Sequence, residues 1–304
     1  MNERKGILFI LGTAVISGVS IYVNSLAVKF SSPYVFTGVK NVLVGMALFG
    51  LIMTVKEFKT LRTLVSKDWL KLMAVGLVGG AVPFMLFFKG LTMTSGAQGA
   101  LIQKCMFVAV AFLAAMFLRE KWNKSIFIGL SAILAGNILF AGITPHGFGR
   151  GDWLIVLATL LWSVEIIISK KLLARLPSNI VAWGRMFFGG AFIFMYLLMS
   201  RQIDPLFSYG AIQWKWIAVT TLFLIGYVWT FYTGLKHVRA SVATAVLALG
   251  APITSLTALV ATGHVKLASG QWWGAGLIVA GLMIVITFNI YTKLFSFSKP
   301  VIHD

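Results

Sequence analysis

Ten apolar stretches of about 20 residues recur along the chain and leave only short connections between them. Each stretch is long enough to cross a hydrocarbon layer ~30 Å thick as an α-helix. Because lipid offers no hydrogen bonds to the backbone, only helices or closed barrels can span it. Charged residues make up only 11% of the sequence. We therefore predict an all-α membrane protein whose ten transmembrane helices cover residues 6–28, 33–55, 70–91, 95–118, 125–143, 152–173, 178–200, 216–236, 240–262 and 272–292.

The net charge of +18 is distributed unevenly between the predicted connections. If the N-terminus is cytoplasmic, the cytoplasmic segments carry seventeen Lys and Arg residues and the outer connections carry five. Such a positive-inside excess sets the orientation of membrane proteins. We therefore predict that both termini are cytoplasmic and that the basic residues face the lipid bilayer and not a nucleic acid. Since no transit peptide or lipidation motif is visible, we expect a multi-pass protein of a prokaryotic cytoplasmic membrane.

The chain also matches itself at an offset of 144–145 residues, which aligns Lys40 with Arg185 and Gly45 with Gly190. An odd number of helices in each half means that the second half crosses the membrane in the opposite sense. This predicts two inverted five-helix repeats, residues 1–146 and 147–304. In transporters built this way the substrate site lies near the bilayer midplane, between the two halves.

Glu165 is the only acidic residue deep within a predicted helix. It lies ~12 Å from the cytoplasmic end of the sixth helix, and Arg185 on the seventh lies ~10 Å from the same surface, so an ion pair is feasible. Two interpretations stay open: the pair fixes helix packing, or Glu165 exchanges a proton or binds a substrate amine while Arg185 binds a carboxylate. Ionisable residues inside the membrane mark substrate or proton pathways by default.

Two further cations lie within predicted helices. Lys104 is near mid-depth, with Gln103 beside it. We expect it to pair with Glu165 or to line a wet cavity. Lys40 lies ~10 Å below the outer surface, so it either contacts the substrate or extends its flexible side chain to the interface. If all these groups are ionised, the centre carries surplus positive charge, which favours a carboxylate or phosphate ligand.

Polar and aromatic side chains recur at helical spacing around these charges. Polar residues of the first helix align, through the repeat, with residues of the sixth, and each set falls on one helical stripe that should face the protein interior. Several aromatic residues of the sixth to eighth helices could line a pocket. The stripe residues are Ser17, Ser20 and Asn24 with Trp162, Glu165 and Ser169, and the aromatic candidates are Trp162, Trp183, Trp229 and Tyr232.

Two prolines and two small-residue helices carry further structural predictions. Pro83 and Pro252 interrupt the third and ninth helices, where freed carbonyl groups can contribute to a site or a hinge. The fifth and tenth helices have small-residue spacing and few polar groups. They are expected to act as packing or dimerisation elements outside the cavity, which allows a homodimer through these two helices.

Three segments resemble a known family: LREKWNKSIFIGLSAILAG (118–136), ATLLWSVEIIISKKLLARLP (158–177) and LGAPITSL (249–256). They are similar to segments of the EamA-type members of the drug/metabolite transporter superfamily. The resemblance covers the whole chain and implies export of amino acids or related metabolites, with proton exchange through Glu165. The sequence departs from the family pattern at Val108, where a proline is expected, and at His264, where a Glu is expected.

The function that these observations favour is a secondary active transporter that exports small polar metabolites, such as amino acids, by alternating access. An exchanger of anionic metabolites such as sugar phosphates is the alternative within the same class. An integral membrane enzyme or a channel is the alternative from another class; the four histidines are scattered and do not indicate an enzyme site. No P-loop is present, and one cysteine cannot form a Cys-based metal cluster, so we expect no cofactor and no metal.

Overall fold

The computed structural model describes residues 3–120, 124–141, 148–263 and 268–296, and no β-strand occurs within these ranges. Nine of the helices described are long and apolar enough to cross a membrane, and Lys124–Phe140 is a shorter apolar helix. The chain is therefore a multi-pass helical membrane protein. Its main helices are α1 (Glu3–Ala27), α2 (Pro33–Thr54), α3 (Ser66–Leu91), α4 (Gly96–Leu118), α5 (Lys124–Ala141), α6 (Arg150–Leu173), α7 (Ser178–Met199), α8 (Ala211–His237), α9 (Ala240–Thr262) and α10 (Ser269–Ser296).

All ten predicted stretches form helices within the described ranges, with ends that shift by a few residues. Hydropathy places the apolar stretches, and local chemistry places the ends: α2 begins at Pro33, whose fixed φ suits a first helical position. The crossing of the membrane by α5 and the cytoplasmic location of both termini stay predictions. The boundary between residues 146 and 147 and the departure at His264 lie outside the described residues.

Contacts between helix termini define two ends of the bundle. At the end that carries residue 3, called the N-terminal end below, Gly6 packs on Val238, and Lys170 Nζ donates to the carbonyl of Val238 at 2.7 Å. At the opposite, distal end, Thr94 Oγ1 donates to Asp152 Oδ1 at 2.9 Å. Helix α1 thus begins at the N-terminal end and α6 begins at the distal end. The predicted inversion of the two halves is confirmed.

Helices α4 and α9 are each interrupted near their middle. Regular helix stops at Cys105 in α4 and at Ala248–Leu249 in α9, positions that correspond through the 144-residue offset. Proline follows the interruption only in α9, at Pro252, whereas α4 has Val108 in its place. The interruption therefore does not depend on proline. Lys104, the last residue before the break in α4, packs its side chain against Gly250 at the break in α9.

Helices α5 and α10 pack tightly against each other. Gly129 faces Gly281, and Gly136 faces Gly274, so that a Cβ atom at position 136 would lie 2.7 Å from the carbonyl oxygen of Gly274. Small residues allow this close approach of two helices in a membrane. The small-residue faces of α5 and α10 are thus packed against each other within one chain. A homodimer through these helices stays a prediction and would have to use their other faces.

Candidate functional site

A cavity of about 60 Å³ lies between the two halves, near the middle of the bundle. This is space for a few water molecules and is far below the ~300–1,000 Å³ of typical ligand pockets. The centre of the bundle is therefore nearly closed in this conformation. Both halves contribute to its wall, which consists of Ser17, Ser20, Ile21, Asn24, Lys40, Phe84, Phe87, Phe88, Gln103, Met106, Trp162, Glu165, Ile166, Arg185, Leu224, Tyr227 and Phe231.

Lys40 lies in this wall and is 1% exposed. Its Nζ atom donates to Asn24 Oδ1 at 2.6 Å and lies 4.5 Å and 4.6 Å from the ring centroids of Phe36 and Phe88. No carboxylate of the described residues lies within 4 Å of it. The prediction that Lys40 could extend to the interface is therefore wrong, because an amide oxygen and two aromatic faces stabilise the cation inside the bundle.

The predicted ion pair between α6 and α7 is present. Arg185 Nη1 lies 3.8 Å from Glu165 Oε2, and both side chains are buried. The other carboxylate oxygen, Oε1, accepts hydrogen bonds from Tyr232 at 2.5 Å and from Ser169. Among the described residues no group donates a hydrogen bond to Oε2. One carboxylate oxygen of Glu165, a residue of the cavity wall, thus keeps acceptor capacity.

The interrupted part of α3 supplies backbone acceptors to the site. Residues Gly76–Ala81 form a π-helical turn, and Pro83 has no N–H with which to bond the carbonyl of Gly79. That carbonyl instead accepts from Trp162 Nε1 at 2.9 Å and from Arg185 Nε at 3.2 Å. The predicted role of the freed carbonyls near Pro83 is thus seen in the structure: the turn fixes a tryptophan and an arginine of the opposite half.

The aromatic part of the wall was only partly predicted. Trp162 lines the cavity as expected, with its ring centroid 5.2 Å from that of Phe87. Trp183 instead faces a lateral groove between α2 and α7, and Trp229 is 41% exposed on the outer surface, so neither of them lines the central cavity and the alternative of a packing role applies to them. Tyr232 does not line the cavity and acts through its hydrogen bond to Glu165. The residues missed were Phe84, Phe87, Phe88, Tyr227 and Phe231.

Helical spacing could have identified these missed residues. Phe84, Phe87 and Phe88 are three and four residues apart, so they form one stripe directly after Pro83. Tyr227 and Phe231 are four apart on α8 and stack with ring centroids separated by 5.8 Å. The spacing alone does not say whether such a stripe faces the protein or the lipid, since aromatic residues suit both environments.

Lys104 differs from its prediction, whereas its neighbour Gln103 lines the cavity. Lys104 Nζ donates to Ser17 Oγ at 2.6 Å, and the side chain is 2% exposed. It neither pairs with Glu165 nor lies in the cavity wall, because it packs toward the break in α9, where Gly250 leaves space for it. Ser17, Ser20 and Asn24 all line the cavity, as the stripe on α1 predicted.

Comparisons with known proteins agree on the class of protein. The sequence signature of the EamA-like transporter family matches residues 4–142 and 149–287. The chain is 24% identical to the uncharacterized transporter YetK of Bacillus subtilis over 269 residues, covering 84% of this chain and 80% of YetK. It is 24% identical to the aromatic amino acid exporter YddG of Ancylobacter novellus over 217 residues, covering 68% and 73% of the two chains.

A solved crystal structure shares the fold, with a TM-score of 0.72 at 17% identity, covering 96% of this chain and all of the other. The family signature covers both halves of the chain, in agreement with the inverted repeat and the central cavity. The protein belongs to the EamA-like transporter family.

Proposed function

We propose that the protein exports amino acids with an aromatic or large apolar side chain, by alternating access, across the cytoplasmic membrane of a prokaryote. The observation that carries this proposal is Lys40: a buried cation in an aromatic-walled cavity, with no carboxylate of the described residues beside it. Arg185, the other cation of the wall, is already paired with Glu165. Lys40 is therefore the group that a substrate carboxylate would bind.

The hydrogen bonds of Lys40 support this role. An ammonium group has three donors, and among the described residues Asn24 is the one side chain that accepts a hydrogen bond from Lys40. A carboxylate that accepted a second bond would form a charge-assisted interaction, roughly twice as strong as a neutral one. It would also compensate a charge whose place inside a membrane costs several kcal/mol. A phosphate dianion is less well matched, since its second negative charge would need another cation and Arg185 is paired with Glu165.

The rest of the cavity wall suits the aromatic ring and the α-ammonium group of an aromatic amino acid. Phe84, Phe87 and Trp162 form an apolar surface whose rings are already in edge-to-face or tilted contact. A further ring placed against them would gain ~0.5–1.5 kcal/mol per aromatic pair beyond its buried area. Glu165 Oε2, which takes no hydrogen bond from the described residues, would accept the α-ammonium group. The name of the similar exporter YddG agrees with this substrate class.

The small size of the cavity fits alternating access. Its volume of about 60 Å³ cannot hold an amino acid, so binding requires the halves to separate on one side. The wall is shared by α1–α4 and α6–α8, so a tilt of one half against the other changes its volume directly. In this scheme Glu165 also exchanges the coupling proton, because protonation would end its charge pairing with Arg185.

Counterflow in proteoliposomes tests the substrate class. Labelled phenylalanine should exchange with internal phenylalanine, and external tyrosine or leucine should compete, whereas phenethylamine, which lacks the carboxylate, should not. Lys40→Gln should reduce phenylalanine counterflow by about tenfold or more, the effect of losing about 1.4 kcal/mol of binding. Lys89→Gln is the matched control, since Lys89 is an exposed lysine of the same helix, directly after Phe88.

Two results would contradict the proposal. The first is equal competition by phenethylamine and phenylalanine, which would show that no carboxylate is recognised. The second is competition by glucose 6-phosphate with none by amino acids, which would favour the exchanger of sugar phosphates.

A further inference from the structure

Glu120, two residues after the end of α4, contacts the start of α9. Arg119 ends α4 in the left-handed conformation, with φ of 54°, and this directs Glu120 across the N-terminal end of the bundle. Its carboxylate accepts hydrogen bonds from the backbone N–H of Ala240 at 2.7 Å and of Ser241 at 3.3 Å. It also accepts from Ser241 Oγ and lies 3.5 Å from Arg239 Nε.

This group of four residues, called the Glu120 clasp below, joins the first half of the chain to the second. The first N–H groups of a helix have no partner within that helix, and the helix dipole favours a negative charge beside them. Hydrogen bonds to an ionised carboxylate are among the stronger ones in proteins. The clasp therefore holds the start of α9 firmly against the end of α4.

The described residues at the distal end form no such clasp, and position 264, which corresponds to Glu120, lies outside them. Through the 144-residue offset, Ala240 corresponds to Gly96 and Ser241 to Ala97, which has no hydroxyl group. The start of α9 is buried from Ala240 to Ala245, whereas Ala97 at the start of α4 is exposed. A cavity of about 360 Å³ lies there, between the start of α4 and the end of α9, and α5 and α10 complete its wall. The two gaps between α4 and α9 are thus closed at one end and open at the other.

The breaks in both helices allow the two ends to move independently. Regular helix is interrupted at Cys105 in α4 and at Ala248–Leu249 in α9. Each half-helix can therefore tilt without moving the other half by the same amount. At the level of these breaks, the Lys104 side chain packs against Gly250 and so joins the two helices where both are interrupted.

We propose that the Glu120 clasp is the latch of the gate at the N-terminal end. It holds the first half of α9 against the second half of α4, so that the protein at rest opens toward the distal end. Opening toward the N-terminal end requires all four contacts of Glu120 to separate. Glu120 is thus a positioning residue that sets the balance between the two conformations. The inference rests on the alternating access of the proposed function but not on its substrate class.

The chemical accessibility of two reporter thiols, measured on the full-length protein without substrate, tests the latch. In a Cys105→Ser background, Thr244→Cys places a thiol one turn inside the clasp, where Thr244 is 1% exposed. Ser255→Cys places another in the wall of the distal cavity. Both changes are nearly isosteric. Glu120→Gln should raise the rate of reaction with a water-soluble maleimide about tenfold at position 244 and lower it about threefold at position 255, as a population shift requires.

Ser241→Ala removes one contact of the clasp and should shift both rates in the same directions by a smaller factor. It decides the matter if Glu120→Gln does not fold. Glu57→Gln is the control: Glu57 also joins the two halves at this end, through Asn179 at 3.1 Å, but touches neither α4 nor α9.

Rates that stay unchanged at both positions would overturn the proposal. Rates that rise at both positions would also overturn it, since they would indicate a loosened structure and not a shifted gate. Because no substrate is present, either result is independent of whether phenylalanine is transported.

Discussion

At the scale of single residues, the central feature is a cation kept inside a membrane protein without an acidic partner. Insertion of a lysine at mid-membrane costs ~2.5–3.5 kcal/mol on biological scales. Cation–π contacts return ~0.5–2 kcal/mol each, so Phe36 and Phe88 together with Asn24 offset much of this cost. The arrangement holds the Lys40 Nζ atom inside the bundle in the absence of substrate and leaves donors for a ligand.

Glu165 allows a prediction at the same scale. Because it is the buried acid of the cavity wall, Glu165→Gln should abolish accumulation of labelled phenylalanine driven by a pH gradient. Counterflow should survive with a lower affinity for phenylalanine, since the glutamine amide oxygen can still accept a hydrogen bond from the α-ammonium group. Uptake assays in proteoliposomes, with and without the gradient, measure the two activities separately. Glu57→Gln, which changes an acid away from the cavity, should leave both intact. If Glu165→Gln retains gradient-driven accumulation, Glu165 does not carry the coupling proton.

At the scale of the helix, the structure shows which helix interruptions depend on particular residues. The π-helical turn of α3 directs the carbonyl of Gly79 at Trp162 and Arg185, and Pro83 is the cause, since it removes the competing N–H. The break in α4 has no such cause within its own sequence. It occurs at the position equivalent to the break in α9 although Val108 replaces proline there.

This difference predicts how α4 tolerates proline. In a regular helix an interior proline costs ~3 kcal/mol or more. Val108→Pro should cost about 1 kcal/mol, since α4 is already broken at Cys105 and only the bond from Val108 N–H to the Cys105 carbonyl, at 3.0 Å, is lost. Ala115→Pro, in the regular second half of α4, should cost the full amount. Denaturation of the two purified variants in detergent measures both; equal losses would contradict the account.

Hydropathy was sufficient to predict the helices, because each apolar stretch is set by the thickness of the membrane and not by its neighbours. Glu165 and Arg185 lie at similar depths in the membrane on two consecutive helices, and this was likewise enough to predict their pairing. The rotation of each helix about its axis was not available from the sequence. For that reason the sequence left open where Lys40 points, and it could not show that Trp183 packs beside a groove between α2 and α7 or that Trp229 is partly exposed on the outer surface.

At the scale of the whole molecule, the two halves are equivalent in fold but not in chemistry. The repeat aligns Lys40 with Arg185, yet among the described residues only Arg185 has an acid beside it. It aligns the start of α4 with the start of α9, yet within the described part of the chain only the start of α9 donates hydrogen bonds to a carboxylate. We propose that the inverted repeat provides two similar conformations and that these differences decide which ligand binds at the centre and which side is open at rest.

The most direct test of the central claim, that Lys40 binds the substrate carboxylate, is a thermodynamic cycle. The affinities of phenylalanine and phenethylamine are measured by calorimetry on the unmodified protein and on Lys40→Gln. We expect the loss of the carboxylate to weaken binding about tenfold or more in the unmodified protein and by less than about twofold in the variant, since the two changes remove the same contact. An equal loss in both proteins would mean that the carboxylate and Lys40 do not interact, and the account would be wrong.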